Sequence, residues 1–170
     1  VLTPLVKAYR ESHPDQKEQM PLIVSTRDGV AEILYTMGGI MLSAGMSNDA
    51  AIYQQLALYI KPEFPEATLT LADAYSELQQ YDKANTYYAK IERKSVYYKK
   101  AQLRIAINEE RSERLDEALA KLDALDKHFP KDLEAMVTKG DLLRIHSRFD
   151  EAVGAYSTAI SRITEPKSMY

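Results

Sequence analysis

Apolar residues recur along this chain with the spacing of helices rather than of strands. From residue 67 onward they follow i, i+4, i+7, i+8 and i+11, one face of a helix: Ala67, Leu71, Ala74, Tyr75 and Leu78. A polar break at 79–80 is followed by a second apolar face: Ala84, Tyr87, Tyr88 and Ile91. Two short amphipathic helices cannot each bury a face alone, so the pattern predicts an antiparallel hairpin that stacks on its neighbours.

The same pattern returns every 34 residues, in four units that begin at residues 31, 65, 99 and 133. The phrases YDKA (81–84), LDEA (115–118) and FDEA (149–152) keep this interval. Small residues stand at position 8 of every unit: Gly38, Ala72, Ala106 and Gly140. Alanine stands at position 20: Ala50, Ala84, Ala118 and Ala152. Small side chains at both positions would let the two helices of a unit cross closely.

The repeated phrase itself predicts the start of each second helix. Position 18 carries Asn48, Asp82, Asp116 or Asp150, whose side chains suit an N-cap or the first helical turn. The apolar residue ahead of each aspartate can staple the turn to the hairpin. The aspartates are therefore expected to be structural rather than catalytic.

This arrangement resembles the tetratricopeptide repeat, a 34-residue helix-turn-helix unit. The resemblance covers residues 31–164, with departures such as Thr68, Gln102 and Lys139 at family positions. It implies an all-α fold, a right-handed α-solenoid of antiparallel helix hairpins.

The resemblance also divides the chain. The expected parts are an N-terminal helix (a remnant repeat or a cap) with an extended linker, four repeat units, and the start of a truncated fifth unit: 1–30, 31–64, 65–98, 99–132, 133–166 and 167–170. We expect the chain to be a segment of a longer, bacterial repeat protein. Two interpretations of residues 15–30 stay open: a linker packed on the first hairpin, or an internal pseudo-ligand in the concave groove.

Composition narrows the classes of function. The chain has 170 residues, 45% hydrophobic and 28% charged, with a net charge of -3. Because the net charge is negative, the chain has no overall positive field that would attract nucleic acid. The absence of cysteine excludes disulfides and thiolate metal sites. No apolar run approaches the roughly 20 residues that span a bilayer, so no transmembrane segment is expected. The composition fits a soluble chain of the cytoplasm or the periplasm.

Candidate chemistry is sparse. The histidines His13, His128 and His146 lack metal-ligand spacing, and there is no Gly-rich phosphate loop and no nucleophile elbow. We therefore expect no enzyme activity, no cofactor and no metal.

In the resembling family the first helices line a concave groove through positions 2, 5, 9, 12 and 13. Carried onto this sequence, the candidate groove residues are Tyr35, Gly39, Leu42, Leu69, Asp73, Leu103, Ile107, Arg111, Val137, Asp141 and Arg144. Position 5 is apolar throughout and predicts a stripe flanked by more acidic than basic groups. For Leu69, Leu103 and Val137, packing between neighbouring first helices is an equal alternative.

The residue types at the groove positions predict the chemistry of the partner. Family members that clamp chaperone tails use lysine at position 5 and asparagine at position 9, and this chain has neither. The expected partner is a protein or peptide that is apolar and carries basic residues. The function implied is a non-catalytic protein–protein interaction scaffold. Alternatives are a peptide-sensing regulatory module or the non-catalytic arm of an enzyme, and self-association through uncapped ends is also expected.

Overall fold

The computed structural model describes residues 25–164, and within that range the chain forms eight α-helices and no strand. They are α1 (Thr26–Ser43), α2 (Ser47–Ile60), α3 (Pro65–Glu77), α4 (Tyr81–Tyr88), α5 (Tyr98–Arg111), α6 (Leu115–His128), α7 (Glu134–Ile145) and α8 (Phe149–Thr164). The predicted N-terminal helix and the start of a fifth unit at 167–170 lie outside the described residues. No helix of the described range is long and apolar enough to cross a membrane.

The helices pair as the repeat predicts. Each first helix packs on the second helix of its own unit, and each second helix also packs on the first helix of the next unit. The result is an all-α array of four stacked antiparallel hairpins, which confirms the predicted fold class.

Small residues lie where the two helices of a hairpin cross. The alanines at position 20 are at most 3% exposed, and Ala72 and Ala106 at position 8 are fully buried. A Cβ on Gly140 would overlap the ring of Tyr156, and one on Gly38 would overlap the side chain of Gln54. Position 8 must therefore be small because the partner helix leaves no room.

All four turns between paired helices close in the same way. The residue at position 15 has a left-handed backbone, with φ of 76° at Gly45, 58° at Gln79, 63° at Glu113 and 58° at Ser147. In the third unit the amide of Glu113 donates to the carbonyl of Glu110, and the amide of Arg114 to that of Glu109. These two bonds define a Schellman motif, and the other three turns repeat them.

The aspartates at position 18 lie in the first helical turn and not at the N-cap. The second helices begin one residue earlier, at Tyr81, Leu115 and Phe149. Arg114 of the third unit binds Asp82 of the second (2.8 Å), and Arg148 approaches Asp116 in the same way (3.4 Å). The repeated aspartate thus contacts the next unit as well as its own helix.

Two elements differ from the sequence prediction. Residues 26–30 were expected in an extended linker, but α1 begins at Thr26 because the Ser25 hydroxyl accepts from the amide of Asp28 (3.1 Å). Helix α4 ends at Tyr88, although the apolar face extended to Ile91. Residues 89–97 form turns instead, and the Ser95 hydroxyl accepts from the amide of Tyr97 (3.2 Å). Such local bonds compete with a helical backbone.

The buried apolar residues of the array fall into separate clusters. One spans α2, α3 and α4 and takes Ala101 and Ile105 from α5. A second spans α6, α7 and α8 and takes Leu103 and Ala106 from α5. Helix α5 therefore divides its apolar face between the two halves of the molecule.

Candidate peptide-binding groove

A cleft lies between the first helices α3 and α5 and has a volume of about 220 Å³. Four of the predicted groove residues line it: Leu42, Asp73, Ile107 and Arg111. They come from three hairpins, since Leu42 is on α1, Asp73 on α3 and the other two on α5. The cleft thus assembles only when the hairpins stack. We call it the inner cleft.

A larger cleft of about 690 Å³ adjoins the first and shares Ser76, Glu77 and Arg111 with it. Its remaining lining residues lie at or beside the turns that join paired helices: Gln79, Tyr81, Glu110, Glu113, Leu115 and His146. We call this the outer cleft. Together the two clefts form one groove that runs from the first hairpin to the fourth.

Asp73 is held by groups of its own hairpin and of the next. The Tyr88 hydroxyl donates to its carboxylate (2.5 Å), and Nε of Arg104 lies 3.6 Å from the same oxygen. Burial raises the pKa of Tyr88 well above its ordinary value, and the charge of Asp73 raises it further. Asp73 is therefore an internal acceptor that presents little free charge to a partner.

Asp141 repeats this arrangement in the fourth hairpin. The Tyr156 hydroxyl donates to it at 2.7 Å, and the hydrogen bond with the Asp141 carboxylate raises the pKa of Tyr156. Arg144 lies 3.9 Å from the same carboxylate. Asp141 and Arg144 lie outside both clefts.

Two of the four acidic side chains that line the clefts have partners within the chain: Asp73, described above, and Glu110, which lies 2.8 Å from His146. Outside the clefts, Glu66 accepts from the Tyr97 hydroxyl (3.1 Å) and Glu32 pairs with Lys61 (3.5 Å). In residues 25–164, Glu77, Arg111 and Glu113 have no ion pair, and all three are exposed. These three groups carry the charge that the groove offers to a ligand.

The predicted apolar stripe is not continuous at the surface. Leu69 and Leu103 are 5% and 6% exposed, so the side chains at these two positions are buried by packing between helices. Tyr35 packs against Phe64, with ring centroids 5.1 Å apart. Gly39 leaves open space where a side chain would stand, and Val137 is 41% exposed beyond the clefts. The structure therefore gathers four of the eleven predicted residues and places the other seven elsewhere.

The inner-cleft residues that the sequence prediction missed include Tyr88, Arg104 and Asn108. Asn108 is 1% exposed and accepts from the hydroxyl of Ser76 (2.7 Å), while its amide donates to Asn85 (3.0 Å). Asparagine at a helix position that is apolar in the neighbouring units was the available signal, since a buried amide needs partners.

Comparison with known proteins agrees with this architecture. The family model described as "Tetratricopeptide repeat-like domain" matches residues 43–169. No curated protein sequence matches the chain. The chain belongs to the tetratricopeptide repeat-like domain family, whose helical arrays are typically non-catalytic and bind proteins.

Solved structures share the fold. A crystal structure of MamA has 17% identity and a TM-score of 0.65, covering 92% of this chain and 83% of that one. An RS-1 MamA double mutant has 13% identity and a TM-score of 0.65, with coverages of 98% and 97%. MamA 41-end from Desulfovibrio magneticus RS-1 has 15% identity and a TM-score of 0.63, with coverages of 81% and 78%. At these identities the likeness concerns the fold alone.

Proposed function

We propose that the protein is a scaffold that binds a peptide segment of a partner protein along the inner and outer clefts. The observation that carries this proposal is the convergence of side chains from three first helices on one continuous groove. Apolar contact surface is available at Leu42 and Ile107 in the inner cleft, and at Tyr81 and Leu115 in the outer one. A peptide with two spaced apolar side chains suits this surface.

The charge of the outer cleft supports a basic partner. Glu77, Glu110 and Glu113 line it together with a single arginine, Arg111. Glu110 already accepts from His146, so Glu77 and Glu113 are the free carboxylates. A lysine or arginine of the peptide would pair with them, and the small contact area implies micromolar affinity.

The test is a selection of peptides from a random library on the wild-type protein, followed by calorimetry with the peptides obtained. Glu77→Lys should weaken their binding about tenfold, because a like-charge contact replaces an attractive one. Glu117→Lys is the matched control, since Glu117 is also an exposed glutamate, lies on α6 and lines neither cleft. Equal binding by the two variants would exclude the groove as the site.

We also propose self-association through the face of the fourth hairpin that carries Val137 and Val153. Val137 and Val153 are 41% and 62% exposed, whereas Leu103 and Leu119, at the same positions of the third unit, are 6% and 7% exposed. The fourth hairpin therefore presents an apolar face that the third hairpin buries against its neighbour. Phe149, 60% exposed, extends this face.

Light scattering over a dilution series tests this association. The wild-type mass should rise with concentration, and Val153→Glu should keep the protein monomeric. Val96→Glu is the control, because Val96 is 87% exposed in the connector at 89–97. A wild-type protein that is monomeric at every concentration would contradict the proposal.

A further inference from the structure

The boundary between the second and third hairpins is built differently from the other two. Helix α1 lies against α3, and α5 lies against α7, but α3 and α5 approach each other less closely. The inner cleft occupies the space between them. The central pair of first helices is thus separated by a solvent-accessible cleft.

The backbone at this boundary is irregular. The second helices α2 and α6 have 14 residues each, whereas α4 has 8. Residues 89–97 then connect α4 to α5 through turns. They contain no proline, whereas Pro62 follows the end of α2 and Pro130 follows the end of α6. A segment of turns can absorb changes of φ and ψ that a helix cannot.

The interface itself is held by hydrogen bonds that are buried or partly buried. The Ser76 hydroxyl donates to Asn108 (2.7 Å), the Asn108 amide to Asn85 (3.0 Å), and the Asn85 amide to Glu109 (3.0 Å). Between the third and fourth hairpins, the positions of Asn85 and Asn108 are occupied by the buried leucines Leu119 and Leu142. Interdigitated leucines favour one arrangement, whereas hydrogen bonds beside a cleft can exchange partners with water.

The apolar core divides along α5, beside this boundary. Ala101 and Ile105 belong to the cluster of the preceding helices, and Leu103 and Ala106 belong to the cluster of the following ones. The first cluster therefore crosses the boundary through Ala101 and Ile105, whereas the second lies wholly within the third and fourth hairpins. Relative motion of the halves would leave the second core intact and would change the packing of these two side chains in the first.

We propose that this boundary is a hinge at which the two halves of the solenoid change their angle, and that the hydrogen-bond chain is the element that a groove ligand biases. Ser76 borders both clefts, so a ligand that bonds to its hydroxyl competes with Asn108. The ligand part of this inference rests on the proposed function, whereas the hinge itself does not. A ligand selects an angle only if it binds one arrangement more tightly.

Distances between spin labels test the hinge without any ligand. The chain contains no cysteine, so Asn48→Cys and Ser157→Cys introduce one label in each half. The pair Asn48→Cys and Thr86→Cys lies within one half and serves as the control. We expect a broad distance distribution across the boundary and a narrow one for the control. Equally narrow distributions would overturn the hinge.

The double substitution Asn85→Leu and Asn108→Leu tests the role of the hydrogen bonds, because it copies the residues of the next interface. It should remove the broad component, and a distribution that stays broad would contradict the inference. If the double variant does not fold, Asn85→Asp decides instead. Its carboxylate would repel Glu109 and should broaden the distribution, and an unchanged distribution would count against the polar chain.

A peptide selected from the random library then tests the coupling. Saturation should shift the wild-type distribution toward one component. If the peptide binds and the distribution does not shift, the coupling is wrong and the hinge stands on the ligand-free distances. If no peptide binds at all, the proposed function fails, and the spin-label distances measured without ligand still test whether the hinge exists.

Discussion

At the scale of single residues, position 24 shows how one repeat accommodates different chemistry. Tyr88 and Tyr156 occupy it in the second and fourth hairpins and donate to Asp73 and Asp141 at position 9. In the third hairpin the same two positions hold Leu122 and Ile107. In these three hairpins a polar residue at one position is matched by a polar residue at the other, which keeps the buried hydroxyls satisfied. The first hairpin departs from this pairing, because Gln54 stands opposite Gly39 and its side-chain oxygen has no partner among the described residues.

Removing the tyrosine hydroxyl should cost more in the second hairpin than in the fourth. Tyr88 is fully buried, and the side chain of Asp73 is 20% exposed against 51% for Asp141. Tyr88→Phe should lower the free energy of unfolding by about 2 kcal/mol, the loss of a hydrogen bond to a charged group. Tyr156→Phe, measured by the same urea titration, should lower it less. The reverse order would contradict this account.

The same hydroxyl predicts a dependence on alkaline pH. The pKa of Tyr88 is raised in the folded state, while an unfolded tyrosine ionises near pH 10. The folded protein therefore keeps the proton that the unfolded chain releases, so this stabilisation is complete below about pH 10 and is lost above it. Urea midpoints of wild type and Tyr88→Phe should converge from pH 8 to pH 11. A constant difference would show that the hydroxyl does not titrate in this way.

Part of the predicted set of groove residues lies in the inner cleft, and burial explains why others do not. Asp73, Leu42 and Arg111, at positions 9, 12 and 13, line that cleft. At position 5, Leu69 and Leu103 are instead enclosed in the two apolar clusters. Single-sequence reasoning could not distinguish these cases, because both positions fall on the same side of an amphipathic helix. Arg104 was missed because position 6 lies outside the family's groove positions.

Because Leu103 is buried, we expect a charge at this position to destabilise the fold. We do not expect it to act by removing a contact with a ligand. Leu103→Asp should lower the free energy of unfolding by roughly 3 to 5 kcal/mol, the cost of an unpaired buried charge. Circular dichroism during thermal unfolding measures this, with the exposed Val137→Asp at the same position as control. If both variants unfold at the wild-type temperature, Leu103 is more accessible than its 6% exposure indicates.

At the scale of elements, the turn between paired helices is the most regular part of the chain. Every described turn has a left-handed residue at position 15, yet only the first unit uses glycine there. Glutamine, glutamate and serine occupy it elsewhere, in a conformation that costs side-chain-bearing residues about 1 kcal/mol. The hairpins thus retain a strained residue that glycine would relieve.

Ser147→Gly should therefore stabilise the fourth hairpin by about 1 kcal/mol, since Ser147 is exposed and has a φ of 58°. Gly45→Ala is the opposite test. A Cβ on Gly45 would meet nothing within 4 Å, so any loss of stability comes from its φ of 76° alone. Urea unfolding of both variants measures the two effects, and changes of the same sign would contradict the explanation.

Helix positions were predictable because the repeat is local, but helix lengths were not. The interval of 34 residues and the small residues at positions 8 and 20 predict the pairing. The end of α4 at Tyr88 depends on hydrogen bonds of Ser95 and on the packing of Ile91 outside any helix. Apolar periodicity continued past that end, since a buried residue keeps its apolar character whether its backbone is helical or not.

At the scale of the whole molecule, the helices of residues 25–164 make their main contacts within a hairpin and with the next hairpin. Each hairpin packs on the next, so the central hairpins have two neighbours and the terminal ones have a single described neighbour. In such arrays stability is close to a sum of unit and interface terms. Amide hydrogen exchange should therefore be slowest in α3, α5 and α6 and should accelerate toward α1 and α8.

Hydrogen exchange measured by mass spectrometry checks this gradient, and the polar boundary supplies a second feature of the profile. Because the apolar clusters meet only at α5, each half should exchange as its own unit, with a step in protection at residues 89–97. Asn85→Leu with Asn108→Leu should reduce that step, because leucines join the two cores as they do between α6 and α7. Uniform protection from α1 to α8 in the wild type would instead show one cooperative unit. It would also mean that the buried hydrogen bonds couple the halves as firmly as apolar packing does.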